Sequence, residues 1–367
     1  MSEIALYRKY RPKKLKGIVG QDHIKQYFQN AVSKNKISHA YLLSGTRGVG
    51  KTTIARIISL IVNCENGPSI DYDIKSKICS AILDNGAAGD VIELDAATNS
   101  SIDNIREIRK QAMTYPVMCR KRVFIIDEAH VLKNIAAGAL LHILEEPPES
   151  SMFILATTES HKILPTIKSR CQKFELKTLS VAEISSYLTK ICNNEGYEKI
   201  ENGAMRIIAQ AARGSIRDSL SILEPILSRC EGSSITVDIV RECIGSRLGQ
   251  FFFCDLLENI VNKKSREAIV SIKKAIGSGM EPINIFNDLL ENSHGMMLCQ
   301  SLGSNKFMYI EDESKEKWES LTKSVNGDIL TFMTKKISDY VNNLRYVTRP
   351  DIALDTCIVE ILNAVKK

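Results

Sequence analysis

Gly45-Thr46-Arg47-Gly48-Val49-Gly50-Lys51-Thr52 is the stretch that decides the fold. It matches G-x-x-x-x-G-K-[ST], follows an apolar run at residues 40–43, and opens an amphipathic stretch at residues 53–61. A strand leading through a glycine-rich turn into a helix is the context in which this motif holds phosphate. The glycines let backbone N–H groups turn inward, and the helix N-terminus adds positive potential. On this reading Gly45, Gly48, Val49 and Gly50 shape the loop, with Thr53 just beyond it. Lys51 reaches the β and γ phosphates of ATP, and the Thr52 hydroxyl ligates Mg²⁺.

Short apolar runs at residues 40–43, 90–94, 123–126 and 152–156 alternate with longer amphipathic segments, and Phe174-Glu175-Leu176 suits a fifth strand. Strands alternating with helices predict a parallel sheet covered on both faces. About seventy residues after the phosphate loop, Val123-Phe124-Ile125-Ile126 carries Asp127 and Glu128 to the C-terminal edge of that sheet. Asp127 is then placed to hold the Mg²⁺ shell and Glu128 to orient the attacking water. The quartet Asp127-Glu128-Ala129-His130 also spells the box of an RNA helicase family, but those enzymes need a second nucleotide-binding lobe. Beyond Thr178 the strand-like runs stop and helical periodicity continues nearly to Lys367. Turns at Gly196, Gly203, Gly214 and Gly232 separate three or four short helices, and longer ones follow, with breaks near Gly277, Gly303, Gly327 and Pro350.

A chain of 367 residues is too long for one ordinary core. The pattern predicts an α/β domain over residues 1–178, a small helical lid over 179–245 and an all-α domain over 246–367. With 44% apolar and 25% charged residues the composition is that of a soluble protein. No apolar run reaches the roughly 18 residues of a membrane span, and residues 1–10 lack the apolar core of a signal peptide. A cytoplasmic location without membrane contact is the expectation. The ten cysteines are scattered, and Cys171, Cys192 and Cys357 fall among core-like residues, as expected of reduced, buried thiols. The net charge of +6 is unevenly spread: residues 1–60 hold twelve Lys or Arg against Glu3 and Asp22. That balance suits a phosphate-rich partner, a nucleotide or a solvated basic face.

Further landmarks follow in a distinctive order. Leu155-Ala156-Thr157-Thr158 ends a strand, Ser169-Arg170-Cys171 comes eleven residues later, and Gly214-Ser215-Ile216-Arg217 opens a helix. With Tyr7-Arg8-Lys9-Tyr10-Arg11-Pro12, Val19-Gly20-Gln21 and Leu144-Glu145-Glu146-Pro147-Pro148, the order closely resembles the gamma/tau subunits of bacterial replicative clamp loaders, a family of AAA+ ATPases. The resemblance covers about residues 4–245; residues 246–367 match that family's helical collar by length and helicity. It implies that Thr158, ahead of Thr157, is the polar sensor near the γ-phosphate. Arg217 reaches the phosphates from the lid, and Arg170 serves as an arginine finger on a neighbouring subunit's ATP. Tyr7, Arg11, Pro12 and Val19 surround the adenine and ribose. The implied partners are other loader subunits in a ring-like hetero-oligomer, the sliding clamp and primer–template DNA.

The sequence departs from this family twice. Of four zinc-binding cysteines after the phosphate-loop helix, Cys64 and Cys79 remain, while Asp73 and Ser76 stand at the intervening positions. Two thiolates and a serine do not make the closed tetrahedral set of structural zinc, so zinc is not expected unless Asp73 recruits an outside ligand. A lysine before the Glu-Glu-Pro-Pro is His142 here, a weaker phosphate partner when neutral. The resemblance implies an ATP-hydrolysing motor subunit that opens the clamp and loads it onto DNA. Two other readings stand beside it: another AAA+ ATPase of DNA repair or recombination, and a non-hydrolysing scaffold subunit of the loader. Intact Lys51, Thr52, Asp127 and Glu128 argue against the scaffold.

Overall fold

The computed structural model describes residues 4–83, 89–98, 102–132, 134–201, 203–230, 234–244, 250–303, 314–344 and 347–366. The chain divides into two compact units, Met1–Val240 and Arg241–Lys367.

The first unit is built on five parallel strands: β1 (Ala40–Ser44), β2 (Val91–Asp95), β3 (Arg122–Asp127), β4 (Ser151–Thr157) and β5 (Gln172–Glu175), in spatial order β2-β3-β4-β1-β5. Parallel strands need crossover helices, and α1 (Leu6–Lys9), α2 (Asp22–Ser33), α3 (Lys51–Val62), α4 (Lys77–Leu83), α5 (Ile102–Ala112), α6 (Asn134–Glu145) and α7 (Pro165–Arg170) lie along this part of the chain. Side chains of a strand alternate between its two faces. Tyr41, Leu43, Val123, Ile125, Met152 and Ile154 therefore join one core with Ile54, Ile57 and Ile61 of α3. Leu42, Phe124, Ile126, Phe153 and Leu155 join the other, with Ile105 and Ile108 of α5 and Leu140 of α6. Each such side chain, fully buried, contributes about 1.5–3 kcal/mol, which is why these runs are apolar at every position. The five expected strands are all present, each within one or two residues of the reading.

The sheet's lower edge is fixed by a buried ion pair. Asp90 accepts N–H groups from Val117, Met118 and Cys119 at 2.7–3.0 Å, and Arg122 Nη2 lies 3.3 Å away. Burial pushes the Asp90 carboxyl up, but those N–H groups and Arg122 outweigh it and hold its pKa below the usual carboxylate value. Breaking such a pair from one side costs about 3–5 kcal/mol, because the other charge stays buried.

The lid of this unit begins at α8 (Val181–Asn194), whose N-cap Ser180 forms a reciprocal capping box with Glu183. It continues through α9 (Ala204–Ala211) and α10 (Ile216–Cys230), and α11 (Val237–Ile244) runs into the second unit. That second unit is helical among its described residues: α12 (Gln250–Val261), α13 (Ser265–Gly277), α14 (Pro282–Leu302), α15 (Lys315–Ser324), α16 (Gly327–Asn343) and α17 (Pro350–Lys366). Their apolar faces meet around Phe253, Phe286, Trp318, Met333 and Ile361. Gly277 and Gly303 close helices as expected, whereas Gly327 and Pro350 open them. Asn326 caps α16 by accepting the Asp328 N–H, and Pro350 sits at the first position of α17, where no N–H is needed. Among the described residues, no helix is long and apolar enough to cross a membrane.

Candidate functional site

β1 is flanked by β4 on one side and β5 on the other, so the strand order reverses there, and the crevice beyond the strand ends is the natural ligand site of an open α/β sheet. The chain leaves β1 through Gly45–Gly50 and enters α3. Gly48 has φ +77°, and a Cβ there would lie 2.0 Å from Ser215 Oγ of the lid. Gly50 has φ +105° with open space where its Cβ would be, so conformation alone calls for glycine.

Lys51 is 6% exposed, and its Nζ donates to the carbonyls of Gly45 (2.8 Å) and Thr46 (2.9 Å). Burial lowers its pKa below that of an ordinary lysine, opposed by the charges of Glu128 and Asp127. Thr52 Oγ1 donates to Asp127 Oδ2 at 2.7 Å, and Asp127 Oδ1 accepts the Glu128 N–H at 2.9 Å. A hydroxyl and a carboxylate converge here as hard oxygen donors, the kind of set that suits Mg²⁺. Glu128 lies in the left-handed region, at φ 47° and ψ 44°, a strained conformation of the kind that gathers at functional sites. Its Oε2 accepts both the N–H (3.3 Å) and the hydroxyl (3.0 Å) of Thr158. Thr157, fully buried, touches His130 Nδ1 instead, so Thr158 is the threonine that meets Glu128.

A cleft of about 1110 Å³ opens over the loop, large enough for a nucleotide-sized ligand. Gly48 to Thr53, Asp127 and Glu128 form its floor. Tyr7, Arg11, Pro12, Val19 and Arg217 form its walls. Arg11 Nε donates to Thr53 Oγ1 at 3.1 Å, and burial, then the neighbouring Arg56, pulls its pKa below the usual arginine value. From the lid, the Arg217 guanidinium carbon stands 5.1 Å from the Tyr7 ring centroid, and the Arg217 N–H donates to the Gly48 carbonyl at 3.4 Å.

The N-terminal segment is clipped to the lid. The Leu6 N–H donates to Glu224 (3.0 Å), Lys9 pairs with Glu195 (2.7 Å), and the Tyr187 hydroxyl donates to the Tyr10 carbonyl (3.1 Å). The Tyr10 hydroxyl donates to Glu195 as well.

Three sequence-predicted groups lie elsewhere. Arg170 is not part of the cleft wall; it ends α7, with Nη1 donating to the Thr166 carbonyl (2.9 Å) and Nη2 paired to Glu145 (2.6 Å). His142 is exposed, 3.7 Å from Glu145. Cys64 and Cys79 are buried together in the core, and burial raises the Cys64 thiol. Asp73 is exposed, and its carboxylate accepts the Lys75 N–H at 2.9 Å. Two contributors had not been singled out from sequence. Ser215 packs on Gly48, and His130 contacts Glu128; the second was legible only as part of the Asp127-Glu128-Ala129-His130 quartet.

Comparison with known proteins agrees in series along the chain. A family model described as DNA polymerase III, delta subunit matches residues 20–180. DNA polymerase III clamp loader subunit, ATPase lid domain matches 183–232, and DNA polymerase III subunits gamma and tau domain III matches 235–366. The chain is 35% identical over 361 residues to the DNA polymerase III subunit tau of Bacillus subtilis, covering 98% of this chain and 63% of that protein. It is 31% identical over 360 residues to the DNA polymerase III subunit gamma of Buchnera aphidicola from Acyrthosiphon pisum, covering 98% and 99%. It thus spans less than two thirds of the tau protein and nearly all of the gamma protein. A solved Thermotoga maritima RuvB mutant shares the fold, with TM-score 0.50 and 19% identity over 69% of this chain and 80% of that one.

Proposed function

Because the chain belongs to the DNA polymerase III gamma/tau family, we propose that it binds Mg-ATP in the cleft of its first unit and hydrolyses it. The work of that hydrolysis is to open the sliding clamp and load it onto primer–template DNA. The observation that carries this reading is the convergence of Lys51, Thr52, Asp127, Glu128 and Thr158 at the ends of β1, β3 and β4.

On binding, the Lys51 ammonium exchanges the Gly45 and Thr46 carbonyls for β and γ phosphate oxygens. Thr52 and Asp127 are the residues that hold Mg²⁺, which when bound neutralises phosphate charge. Glu128 orients a water in line with the γ-phosphorus. The water oxygen bonds to that phosphorus, the bond to the β–γ bridging oxygen breaks, ADP leaves with the electron pair, and the water proton ends on inorganic phosphate. Arg217 and Gly48 join lid and loop directly, so phosphate on the loop changes what the lid rests on. Arg170 acts on the nucleotide of a neighbouring subunit.

The proposed division is an ATPase domain (1–178), a lid (179–245) and a helical oligomerisation domain (246–367). The proposed setting is the cytoplasm, in a ring with other loader subunits. ATP turnover in the assembled loader is expected to rise when clamp and primed DNA are both added. Turnover indifferent to both sinks the loader reading.

The chain is proposed to carry no structural zinc, because Cys64 and Cys79 pack in the apolar core while Asp73 faces solvent. Elemental analysis is expected to find substoichiometric zinc, with thermal stability unchanged by chelator. One tightly held zinc per chain overturns this and points back to Asp73.

A further inference from the structure

Glu128 is the first residue beyond β3, and its left-handed backbone bends the chain into the 3-10 turn Ala129–Val131. That turn folds His130 back onto the end of β4. The Nδ1 atom lies 3.1 Å from Thr157 Oγ1 and 3.3 Å from Glu128 Oε2, while Nε2 lies 3.3 Å from Glu159 Oε1. Thr157 Oγ1 accepts the Glu159 N–H at 3.0 Å, and Lys162 fixes Glu159 from the far side at 2.7 Å. The imidazole is 13% exposed. It ties the end of β3 to Thr157 and Glu159, on either side of the Thr158 that also grips Glu128.

We propose that His130 is a positioning residue for ATP hydrolysis, holding the Glu128 carboxylate by Oε2 so that Oε1 is left to orient the water. This rests on the ATPase reading above. The geometry favours it because all three contacts converge on one oxygen: Thr158 N–H, Thr158 hydroxyl and His130 Nδ1 all meet Oε2. A carboxylate on a flexible two-carbon stem has no fixed direction without such a clamp. The clamp reaches Glu128 from outside the phosphate contacts, so it sets the chemical step rather than nucleotide affinity.

The test compares the full parental chain with His130→Ala, Glu159→Gln, Glu128→Gln and the His130→Ala/Glu128→Gln double variant. Each is assembled with its loader subunits, with binding read from a fluorescent ATP analogue. His130→Ala is expected to lower kcat on the order of 10- to 100-fold, the scale of misplacing a catalytic group by about 1 Å, with the analogue's Kd unchanged. Glu159→Gln, which loosens only the far anchor, is expected to lower kcat less and also to spare Kd. His130→Ala added to Glu128→Gln is expected to cost nothing further, because it acts only through the carboxylate already removed. A weakened Kd with unchanged kcat, or a loss that multiplies in the double variant, overturns the proposal. If alanine prevents folding, Glu159→Gln decides alone: an unaltered kcat overturns it. A parental loader without turnover overturns the ATPase reading and this inference together. Parental turnover with an indifferent His130→Ala overturns this inference only.

Discussion

Lys51→Ala is expected to abolish measurable ATP binding, whereas Glu128→Gln is expected to keep binding and lose turnover. The two residues sit in one cleft but meet the nucleotide at different stages. Lys51 is buried and largely desolvated, its ammonium donating to the two loop carbonyls of Gly45 and Thr46. Its exchange onto phosphate oxygens is a ground-state contact, and each charge-assisted hydrogen bond contributes about 1.5–3 kcal/mol. Losing two such bonds weakens binding on the order of 100-fold or more. Glu128 instead points to Thr158, and glutamine keeps its size and its acceptor oxygen. What glutamine loses is the negative charge that orients and polarises the water, an effect confined to the transition state. A drop in kcat on the order of 10²–10⁴-fold with little change in Kd is the expected signature. Parental turnover by Glu128→Gln sinks the assignment of the water-orienting acid, and full binding by Lys51→Ala sinks the phosphate loop.

The three central strands β1, β3 and β4 and the phosphate loop were legible because their causes are local. A buried parallel strand must be apolar at every position, and a loop turning N–H groups inward must be glycine-rich; both requirements are written into consecutive residues. Asp127 and Glu128 were legible for the same reason, as acids that end such a strand. The clasp of the N-terminal segment by the lid was not. It joins Leu6 to Glu224 and Lys9 to Glu195 across roughly two hundred residues, and no periodicity encodes a contact of that range. The clasp matters to the site because Tyr7, which faces Arg217, is carried by that segment. The contacts of His130 were not legible because they depend on a backbone bend at Glu128 that no neighbouring glycine announces. The helical second unit was legible in type, since apolar periodicity persists to its end. How its helices pack was not, because amphipathic stripes alone do not choose their partners.

The position of Arg170 leads to the last expected result: its removal is felt in the assembled loader, not in the isolated chain. Arg170 ends α7, beyond β4 and away from the cleft walls, with its side chain a third exposed (33%). Its guanidinium is held by Glu145 and the Thr166 carbonyl rather than by anything around its own phosphate loop. A partly exposed ion pair of this kind contributes about 0–1 kcal/mol, too little to keep the guanidinium from a neighbour's triphosphate. A guanidinium remains charged and presents a planar fork of donors, so it matches phosphate oxygens as charge builds on them. Arg170→Ala should therefore leave nucleotide affinity of the free chain nearly intact. In the assembled complex it should cut ATPase on the order of 10³-fold where chemistry limits the rate. Mixing makes the direction of the contact visible. Chains with Arg170→Ala keep a sound phosphate loop, and chains with Lys51→Ala keep a sound finger. Where the two co-assemble, interfaces pairing the sound loop with the sound finger should recover activity that neither variant shows alone. If verified co-assemblies stay as inactive as their parents, Arg170 acts within its own chain, and the Glu145 pair is then its working contact rather than a resting one.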